Sequence, residues 1–340
     1  MPDDLQQLGE FGVIELFSQA AKPAGSRVVL GIGDDCAVWR VSEAEYLLVT
    51  TDMLVERVHF LREYITPRQL GRKTLMVNLS DIAAMGGQPT AAFLAMGLTA
   101  DLKSEYLTEF RDGLLECALE YNVDLLGGDT VAAQADMVFC LTVLGVTNPD
   151  QLVTRAGARP GDRIMLAGFV GDSAAGLHLI LSKSAKRLEH GYQKLIRAHL
   201  EPQAQVALGR LLASKKLVSA MIDVSDGVEQ DLAHICRASA VGADIQADSL
   251  PLSKQACQLA KSAGIDPLDW GLSGGEDFVL LFCCAEDKED QIKNCCLTEL
   301  GTQVFTIGTI TEDKKIRVNS QGVWLDRAAK GYDHFPGSLA

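Results

Sequence analysis

The sequence predicts an α/β protein built from two domains, and three observations support this prediction. Short apolar segments of strand character alternate with longer segments of helical periodicity, a pattern typical of α/β folds. The chain has 340 residues, which exceeds the length that a single hydrophobic core usually organises. A segment rich in turn-forming residues, 147–162, lies near its middle. We therefore predict one domain at residues 1–150 and a second at residues 151–340.

The elements of the first half are predicted from periodicity and from turn residues. Apolar residues at helical spacing predict helices at residues 12–21, 67–85 and 103–121. The helix at 67–85 has the expected punctuation, with Pro67 in its first turn and Gly86-Gly87 just beyond its end. Strand-like apolar segments lie at residues 27–30, 46–49, 91–98, 123–126 and 137–146.

The second half repeats the alternation of strands and helices. Strands are predicted at residues 163–167, 220–224, 244–247, 278–283 and 304–310, with helices between most of them. The glycine-spaced turn at 168–176 follows a strand and opens a helix at Ser173. Its backbone amides could bind an anion, although plain helix capping explains the same pattern equally well.

The acidic balance of the chain excludes some partners. The formal net charge is −14, so nucleic acid and anionic membrane surfaces would be repelled, and neither is expected as a partner. The first residues show no secretory signal pattern, and no apolar run approaches the ~20 residues that span a bilayer. We therefore expect a cytoplasmic protein.

Nine cysteines, an odd number, indicate reduced thiols rather than a disulfide framework. Two doublets, Cys283-Cys284 and Cys295-Cys296, raise the question of a metal site. Neither has the spacing of a zinc site, and neighbouring residues on a strand point to opposite faces. The doublets are therefore expected to be buried or incidental thiols.

Aspartates follow the ends of several predicted strands. This pattern occurs at Asp34 and Asp35, at Asp52, at Asp129, and at Asp223 and Asp226. Asp81 adds a carboxylate from the helix at 67–85, on one stripe with Thr74 and Asn78. Turn and cap preferences explain any one of these aspartates, but they explain the whole set less well. Loops at strand ends are also where α/β proteins gather their sites.

Converging carboxylates need counter-charge. Each close pair would otherwise cost about 4 kcal/mol at an effective dielectric near 20. Oxygen ligands of this kind suit Mg²⁺, which commonly bridges carboxylates to substrate phosphates. The sequence therefore predicts a magnesium-dependent site for a nucleoside triphosphate. It contains neither a Walker A motif nor the protein-kinase motifs.

The motifs together resemble the thiamine-monophosphate kinase family, within the superfamily of aminoimidazole ribonucleotide synthetase and selenophosphate synthetase. The matching segments run in family order through residues 31–37, 50–55 with His59-Phe60, 77–86, 127–130, Thr154-Arg155, 160–162, 171–176, 223–227, 273–277 and 331–335. The resemblance implies an N-terminal mixed-sheet domain that binds ATP and Mg²⁺ and dimerises through its sheet. The C-terminal α/β domain would complete the cleft.

The resemblance also implies roles for individual residues. Metal ligands would be Asp35, Thr50, Thr51, Asp52, Asp81, Asp129, Asp223 and Asp226. ATP would be held by Gly128, Asp129, Arg155 and Ser225, and thiamine phosphate by His59, Glu276 and Tyr332. Asp81, Asp129, Arg155 and Asp223 would carry catalysis. The chain departs from the family at Arg111 and Asp112, where an aromatic residue is often found, so the adenine contact is left open.

The implied reaction is transfer of the ATP γ-phosphoryl group to the phosphate of thiamine monophosphate by a homodimeric enzyme. That phosphate is already ionised, so positioning and charge neutralisation would supply most of the catalysis. Two alternatives remain: a relative that phosphorylates a different small-molecule acceptor, and a non-catalytic nucleotide-binding homologue. A selenophosphate synthetase would be expected to have a reactive cysteine or selenocysteine near its N-terminus, but residues 1–30 contain no cysteine. The carbamoyl-transfer relative from hydrogenase maturation ends in a catalytic cysteine, whereas this chain ends Gly337-Ser338-Leu339-Ala340.

Overall fold

The computed structural model describes residues 5–21, 25–182, 190–326 and 334. Its helices are α1 Leu5–Ala20, α2 Pro67–Ala84, α3 Ser104–Tyr121, α4 Asp172–Leu181, α5 Gln193–Leu200, α6 Val206–Ser214, α7 Val228–Ser239, α8 Lys254–Ala263, α9 Pro267–Ser273 and α10 Glu289–Leu300. Its strands are β1 Val28–Leu30, β2 Ala37–Arg40, β3 Tyr46–Val55, β4 Gln88–Leu98, β5 Asp124–Ala132, β6 Val138–Thr147, β7 Arg163–Leu166, β8 Ala220–Asp223, β9 Gly242–Gln246, β10 Leu280–Cys284, β11 Phe305–Thr311, β12 Ile316–Ser320 and β13 Val323–Asp326.

The first sheet contains six strands in the order β1-β2-β3-β6-β4-β5. Its pairs are antiparallel, except that β4 and β5 run parallel. Helix α2 packs on β3, β4 and β6, with α3 beside it. The two helices approach so closely that only glycine fits at Gly71 and Gly113. A Cβ at either position would lie within 2.0 Å of a backbone oxygen of the other helix. The sheet and its two helices therefore form one compact layer pair.

The second sheet contains seven strands in the order β13-β12-β9-β11-β7-β10-β8. It is antiparallel apart from the parallel pair β9 and β12. Both sheets are therefore mixed, which the family resemblance implies for the N-terminal domain. Among the described residues, no helix has both the length and the apolar character needed to cross a membrane.

Helix α2 lies between the two sheets. It begins with Pro67 at its first position and a capping box in which Thr66 and Gln69 exchange hydrogen bonds, a strong start signal. On its other side it contacts α5, α6 and β8. The helix is therefore buried on most of its surface, and Lys73 and Ser80 donate hydrogen bonds to residues of the second half.

The helices predicted at 67–85 and 103–121 are confirmed as α2 and α3. The first helix begins earlier than predicted, at Leu5. Strands β2, β12 and β13 have no counterpart in the prediction, because they are short and without a clear alternation.

The prediction that Asp52 and Asp129 follow the ends of strands is wrong. Strand β3 continues through Asp52 to Val55, because its backbone pairs with β6 over ten residues. Strand β5 continues through Asp129 to Ala132, paired with β4. Both aspartates therefore project from strands rather than from the loops that follow them.

Candidate active site

A cleft of about 730 Å³ lies where β3 and α2 meet β8, α4 and the loop 273–278. Carboxylates line one part of it: Asp52, Asp81, Asp223 and Asp226. Much of the remaining wall is apolar, with Phe60, Ile65, Leu177, Leu200 and Phe278 among its residues. A concave site with a few converging polar groups and apolar walls is typical of small-molecule binding.

Three carboxylates from both halves of the chain converge. Oxygen atoms of Asp35, Asp81 and Asp223 lie within 4.8 Å of one another. Thr50 Oγ1 donates a hydrogen bond to Asp81 Oδ2 at 2.5 Å, and Ser80 Oγ donates to Asp223 Oδ2 at 2.5 Å. The elements that carry these aspartates thus bring them together, and the hydroxyl groups orient two of them.

Asp52 joins this cluster from β3. Its backbone N–H donates to Asn78 Oδ1 at 3.1 Å, which fixes β3 against α2. Because side chains alternate along a strand, Thr50 and Asp52 face α2. Thr51 faces the other side of the sheet, where it accepts a hydrogen bond from Thr142 Oγ1 at 3.1 Å. The structure therefore brings Thr50, but not Thr51, to the carboxylates.

Burial and mutual repulsion disfavour the ionised forms of these groups. Burial raises the pKa of Asp52 to about 6. Burial, followed by the charge of Asp35, raises the pKa of Asp223 to about 7. The pKa of Asp81 lies well above its usual range, through burial and then the neighbouring carboxylates, Asp52 first. Such a cluster favours bound protons or bound cations.

The cluster fits a divalent cation. Oδ2 of Asp35 is buried and has no hydrogen-bond partner among the described residues, although its carboxyl group belongs to the converging set. A buried oxygen without a hydrogen-bond partner, beside two further carboxylates, is energetically costly unless a cation binds to it. The donor set consists of hard oxygen atoms, which Mg²⁺ prefers.

Arg155 occupies the other side of Asp35. Its Nε and Nη2 donate to Asp35 Oδ1 at 3.2 and 2.6 Å, and its backbone N–H donates to Asp34 Oδ2 at 3.1 Å. Burial, followed by Asp35, raises the pKa of Asp34 to about 6. Arg155, predicted to bind ATP, therefore contacts Asp35, predicted to bind metal, directly.

The other predicted residues lie at different distances from this cluster. Ser225 and Asp226 line the cleft, in a turn whose backbone N–H groups at Asp226 and Gly227 donate to Asp231. Gly128 and Asp129 lie on β5, an edge strand whose residues are all exposed. Gly128 has φ +154°, and a Cβ there would lie 1.6 Å from Leu94 O, so only glycine fits.

His59 and Glu276 also line the cleft. His59 Nδ1 accepts a hydrogen bond from the backbone of Val55 at 3.0 Å, and its ring lies 5.0 Å from that of His334. Glu276 has φ +64°, a left-handed conformation that is costly for a non-glycine residue. Tyr332 lies outside the described residues.

The glycine-spaced turn at 168–176 has a different occupant from the predicted substrate anion. Asp277 accepts hydrogen bonds from the backbone N–H groups of Gly171 and Ser173, at 2.6 and 3.1 Å. These amides open α4, where an anion is favoured. The chain's own carboxylate therefore binds there, and this turn is not a phosphate cradle.

Arg111 and Asp112, where the family often has an aromatic residue, lie exposed on α3 and form an ion pair with each other. All nine cysteines are free. Cys283, Cys284 and Cys296 are buried and Cys295 is half-buried, and burial raises the pKa of Cys283. The doublets were predicted to be buried or incidental thiols, and these positions are consistent with that prediction.

Sequence reasoning missed two residues of the cleft, Lys73 and His199. Lys73 Nζ lies 3.0 Å from Glu276 Oε1, and His199 Nδ1 lies 3.1 Å from Glu276 Oε2. Lys73, Val77 and Asp81 follow one another at four-residue spacing on α2 and all line the cleft. That spacing was a usable signal, because it places a lysine on the same helix face as a predicted ligand.

Comparison with known proteins places the chain in a class. Family models described as "AIR synthase related protein, N-terminal domain" and "AIR synthase related protein, C-terminal domain" match residues 33–147 and 159–321. These two matches cover most of both sheets and the acidic cluster. The class is therefore that of the AIR synthase related proteins.

Relatives of similar length narrow this class. The chain is 38% identical to thiamine-monophosphate kinase of Escherichia coli K12, over 96% of this chain and 98% of that one. It is 34% identical to thiamine-monophosphate kinase of Bacillus subtilis, over 91% and 94%. The solved structure of AaThiL complexed with AMPPCP and TMP matches with a TM-score of 0.86 and 32% identity, over 97% and 98%. The chain belongs to the thiamine-monophosphate kinase family.

Proposed function

We propose that the protein phosphorylates thiamine monophosphate with ATP, yielding thiamine diphosphate and ADP. The observation that carries this proposal is the convergence of Asp35, Asp81 and Asp223, of which Asp81 and Asp223 line the cleft. It is supported by the likeness to AaThiL, which was solved with AMPPCP and TMP. A site for two phosphorylated ligands needs counter-charge at their meeting point, and the carboxylates provide a place for it.

Magnesium is the cation that we propose for this site. Asp35, Thr50, Asp52, Asp81, Asp223 and Asp226 would hold it, while Thr51 and Asp129 are assigned only by the family motif. Bound Mg²⁺ would neutralise phosphate charge and align the two phosphate groups. The chain itself prepares the site: Thr50 orients Asp81, Ser80 orients Asp223, and Arg155 fixes one side of Asp35.

The phosphate of the acceptor is ionised at neutral pH, so the reaction requires no general base from the protein. The task of the chain is positioning and charge neutralisation. Ser225, Gly128, Asp129 and Arg155 are our proposed contacts to ATP. His59, Glu276 and Tyr332 are our proposed contacts to thiamine monophosphate. All of these side-chain assignments follow the motif positions and are proposals.

We further infer two domains, at residues 1–150 and 151–340, and a homodimer that pairs through the first sheet. In support of the dimer, Leu125, Leu126 and Val131 on β5 are exposed apolar residues, on a strand at the sheet edge. Exposed apolar edges are usually covered in the functional assembly. Light scattering should report twice the chain mass. The free thiols suit a reducing cytoplasm.

Measurement of ADP release tests the activity directly. Purified protein with ATP, Mg²⁺ and thiamine monophosphate should release ADP and form thiamine diphosphate in equal amounts. Omission of thiamine monophosphate should abolish the signal. ADP release that does not depend on the acceptor, or that depends only on a different phosphorylated acceptor, would contradict the proposal.

A further inference from the structure

Lys73 is a buried cation in the wall of the cleft. Only 1% of its side chain is exposed. Its Nζ lies 3.0 Å from Glu276 Oε1, 3.1 Å from Glu276 Oε2 and 3.1 Å from the carbonyl oxygen of His199. An ammonium group has three N–H donors and no acceptor. These contacts are all within the protein and hold the ammonium group against Glu276 and His199.

His199 is the second partner of Glu276. Its Nδ1 lies 3.1 Å from Glu276 Oε2. Burial, followed by the charge of Lys73, lowers the pKa of His199, so the ring is neutral. A bare Nδ1 lone pair would repel the carboxylate, hence Nδ1 carries the proton and donates it to Oε2. The Ser173 hydroxyl also lies 3.1 Å from this Nδ1.

These partners hold Glu276 ionised in one orientation. Although burial opposes ionisation, Lys73 and then His199 lower the pKa of Glu276 to about 2. The charges of Lys73 and Glu276 cancel. The group that faces the cleft is thus an electrically compensated pair, and it offers little net attraction to a cationic ring.

The pair still has an acceptor position for a ligand. A carboxylate accepts about four hydrogen bonds. Lys73 donates to Oε2, which His199 also approaches, and the ammonium group lies 3.0 Å from Oε1. Oε1 therefore keeps accepting capacity, and 26% of the Glu276 side chain is exposed where it lines the cleft. A half-buried acceptor of this kind favours a neutral N–H donor and penalises a ligand that lacks one.

The position of the pair indicates which end of a ligand it meets. Lys73 precedes Asp81 by eight residues on α2, a distance of ~12 Å along the helix axis. Lys73 and Asp81 therefore lie at different points along the cleft wall, and the Glu276 side chain is held at the Lys73 end. Apolar residues adjoin the pair: Leu200 follows His199, Phe278 lies two residues after Glu276, and Leu177 lies one helical turn after Ser173. These surroundings fit an aromatic ring that carries an amino group.

We propose that Lys73 is a positioning residue which, with His199, fixes Glu276 as a charge-compensated hydrogen-bond acceptor for the ring amino group of the acceptor substrate. The inference rests on the proposed function and adds to it the origin of selectivity at the ring end. It assigns Glu276 to an N–H donor and not to the positive charge of the thiazolium ring.

Substrate selectivity tests this assignment. The probe is an analogue of thiamine monophosphate in which hydrogen replaces the pyrimidine amino group. The unmodified protein should prefer thiamine monophosphate by about 100-fold in kcat/KM, as a site with a half-buried acceptor does. Lys73→Met should reduce this preference below about 5-fold, chiefly by raising the KM for thiamine monophosphate. The kcat and the KM for ATP should change little.

The competing explanation makes the opposite prediction. If Glu276 served the ring cation, Lys73→Met would leave its charge uncompensated and would lower the KM for thiamine monophosphate. A lower KM, or an unchanged preference for the amino compound, would overturn the proposal. Lys215→Met is the matched control, because Lys215 is 40% exposed and pairs with the exposed Glu299. It should retain the full preference.

A second variant covers the case in which Lys73→Met does not fold. Lys73→Met/Glu276→Met removes the acceptor together with both charges, leaves no buried unpaired charge and should remain folded. The preference of this variant for thiamine monophosphate over the analogue should also fall below about 5-fold. The two compounds should raise the melting temperature of the variant equally. A double variant that keeps the 100-fold preference would overturn the proposal. Loss of ATP turnover with every acceptor in the unmodified protein would instead contradict the proposed function.

Discussion

Arg155 and Asp35 form a two-sided arrangement at the edge of the acidic cluster. The guanidinium donates twice to Oδ1 of Asp35, while Oδ2 is buried and unpartnered among the described residues. The second oxygen belongs to the carboxyl group that converges with Asp81 and Asp223. Arg155 therefore orients Asp35 and compensates part of its charge, and the remaining oxygen is positioned for a cation.

Nucleotide binding should require a divalent cation. Without one, the carboxylates of Asp35, Asp81 and Asp223 would repel the triphosphate. Calorimetric titration of ATP in EDTA should show no measurable heat of binding, whereas excess Mg²⁺ should restore it. Equal affinity in the two buffers would contradict a cation-dependent site.

Asp81→Asn and Asp223→Asn should each lower turnover by at least ~100-fold, the scale observed when one preorganised electrostatic group is removed. The metal-free variants should melt no lower than the unmodified protein, because each change relieves repulsion within a buried carboxylate cluster. Asp326→Asn, at an exposed ion pair with Lys315, is the control and should leave both properties unchanged. A large fall in melting temperature would assign Asp81 or Asp223 to structure instead.

Unphosphorylated thiamine should be a poor acceptor. Its hydroxyl group would need a general base and would leave the acidic cluster without its phosphate partner. The kcat/KM for thiamine should be lower than that for thiamine monophosphate by more than ~1000-fold. Comparable turnover of both compounds would refute direct transfer to a phosphate acceptor.

The Lys73–Glu276 pair should make the free energy of unfolding depend on pH in the acid range. The pKa of Glu276 is held at about 2, below its ordinary value of 4.5. A lowered folded-state pKa stabilises the protein above pH 4.5, and this contribution is lost as the pH falls through that range toward 2. The free energy of unfolding of Lys73→Met/Glu276→Gln should therefore vary less between pH 5 and pH 3 than that of the unmodified protein. Urea titrations at both pH values provide the measurement, and identical pH dependence would exclude this role.

The parts of the fold that were predicted correctly have strong local signals. Helix α2 combines a capping box, Pro67 and a double glycine after its end, so its limits are encoded nearby. Strands β2 and β13 pair with strands next to them in the chain, and β12 pairs with both β13 and the distant β9. Their short sequences have no clear alternation, so pairing with the sheet and not a local pattern sets their strand conformation.

The site was predicted unevenly for a similar reason. Asp35, Asp81 and Asp223 stand in recognisable motifs, and the structure brings them together. Asp52 resembles a loop residue, since Thr50-Thr51-Asp52 is polar, yet a strand can present polar groups to a cleft. Lys73 was missed because lysine is normally a surface residue, and because its partner Glu276 lies 203 positions later.

The hydrogen bond from Ser80 to Asp223 joins residues 143 positions apart, and Arg155 reaches back 120 positions to Asp35. During synthesis on the ribosome, the first half emerges with its carboxylates in place but without Asp223. The cluster can therefore close only late, after β8 has emerged and docked against α2, because distant contacts form slowly. Any ligand that requires the closed cluster stabilises the finished fold alone, and its binding reports that folding is complete.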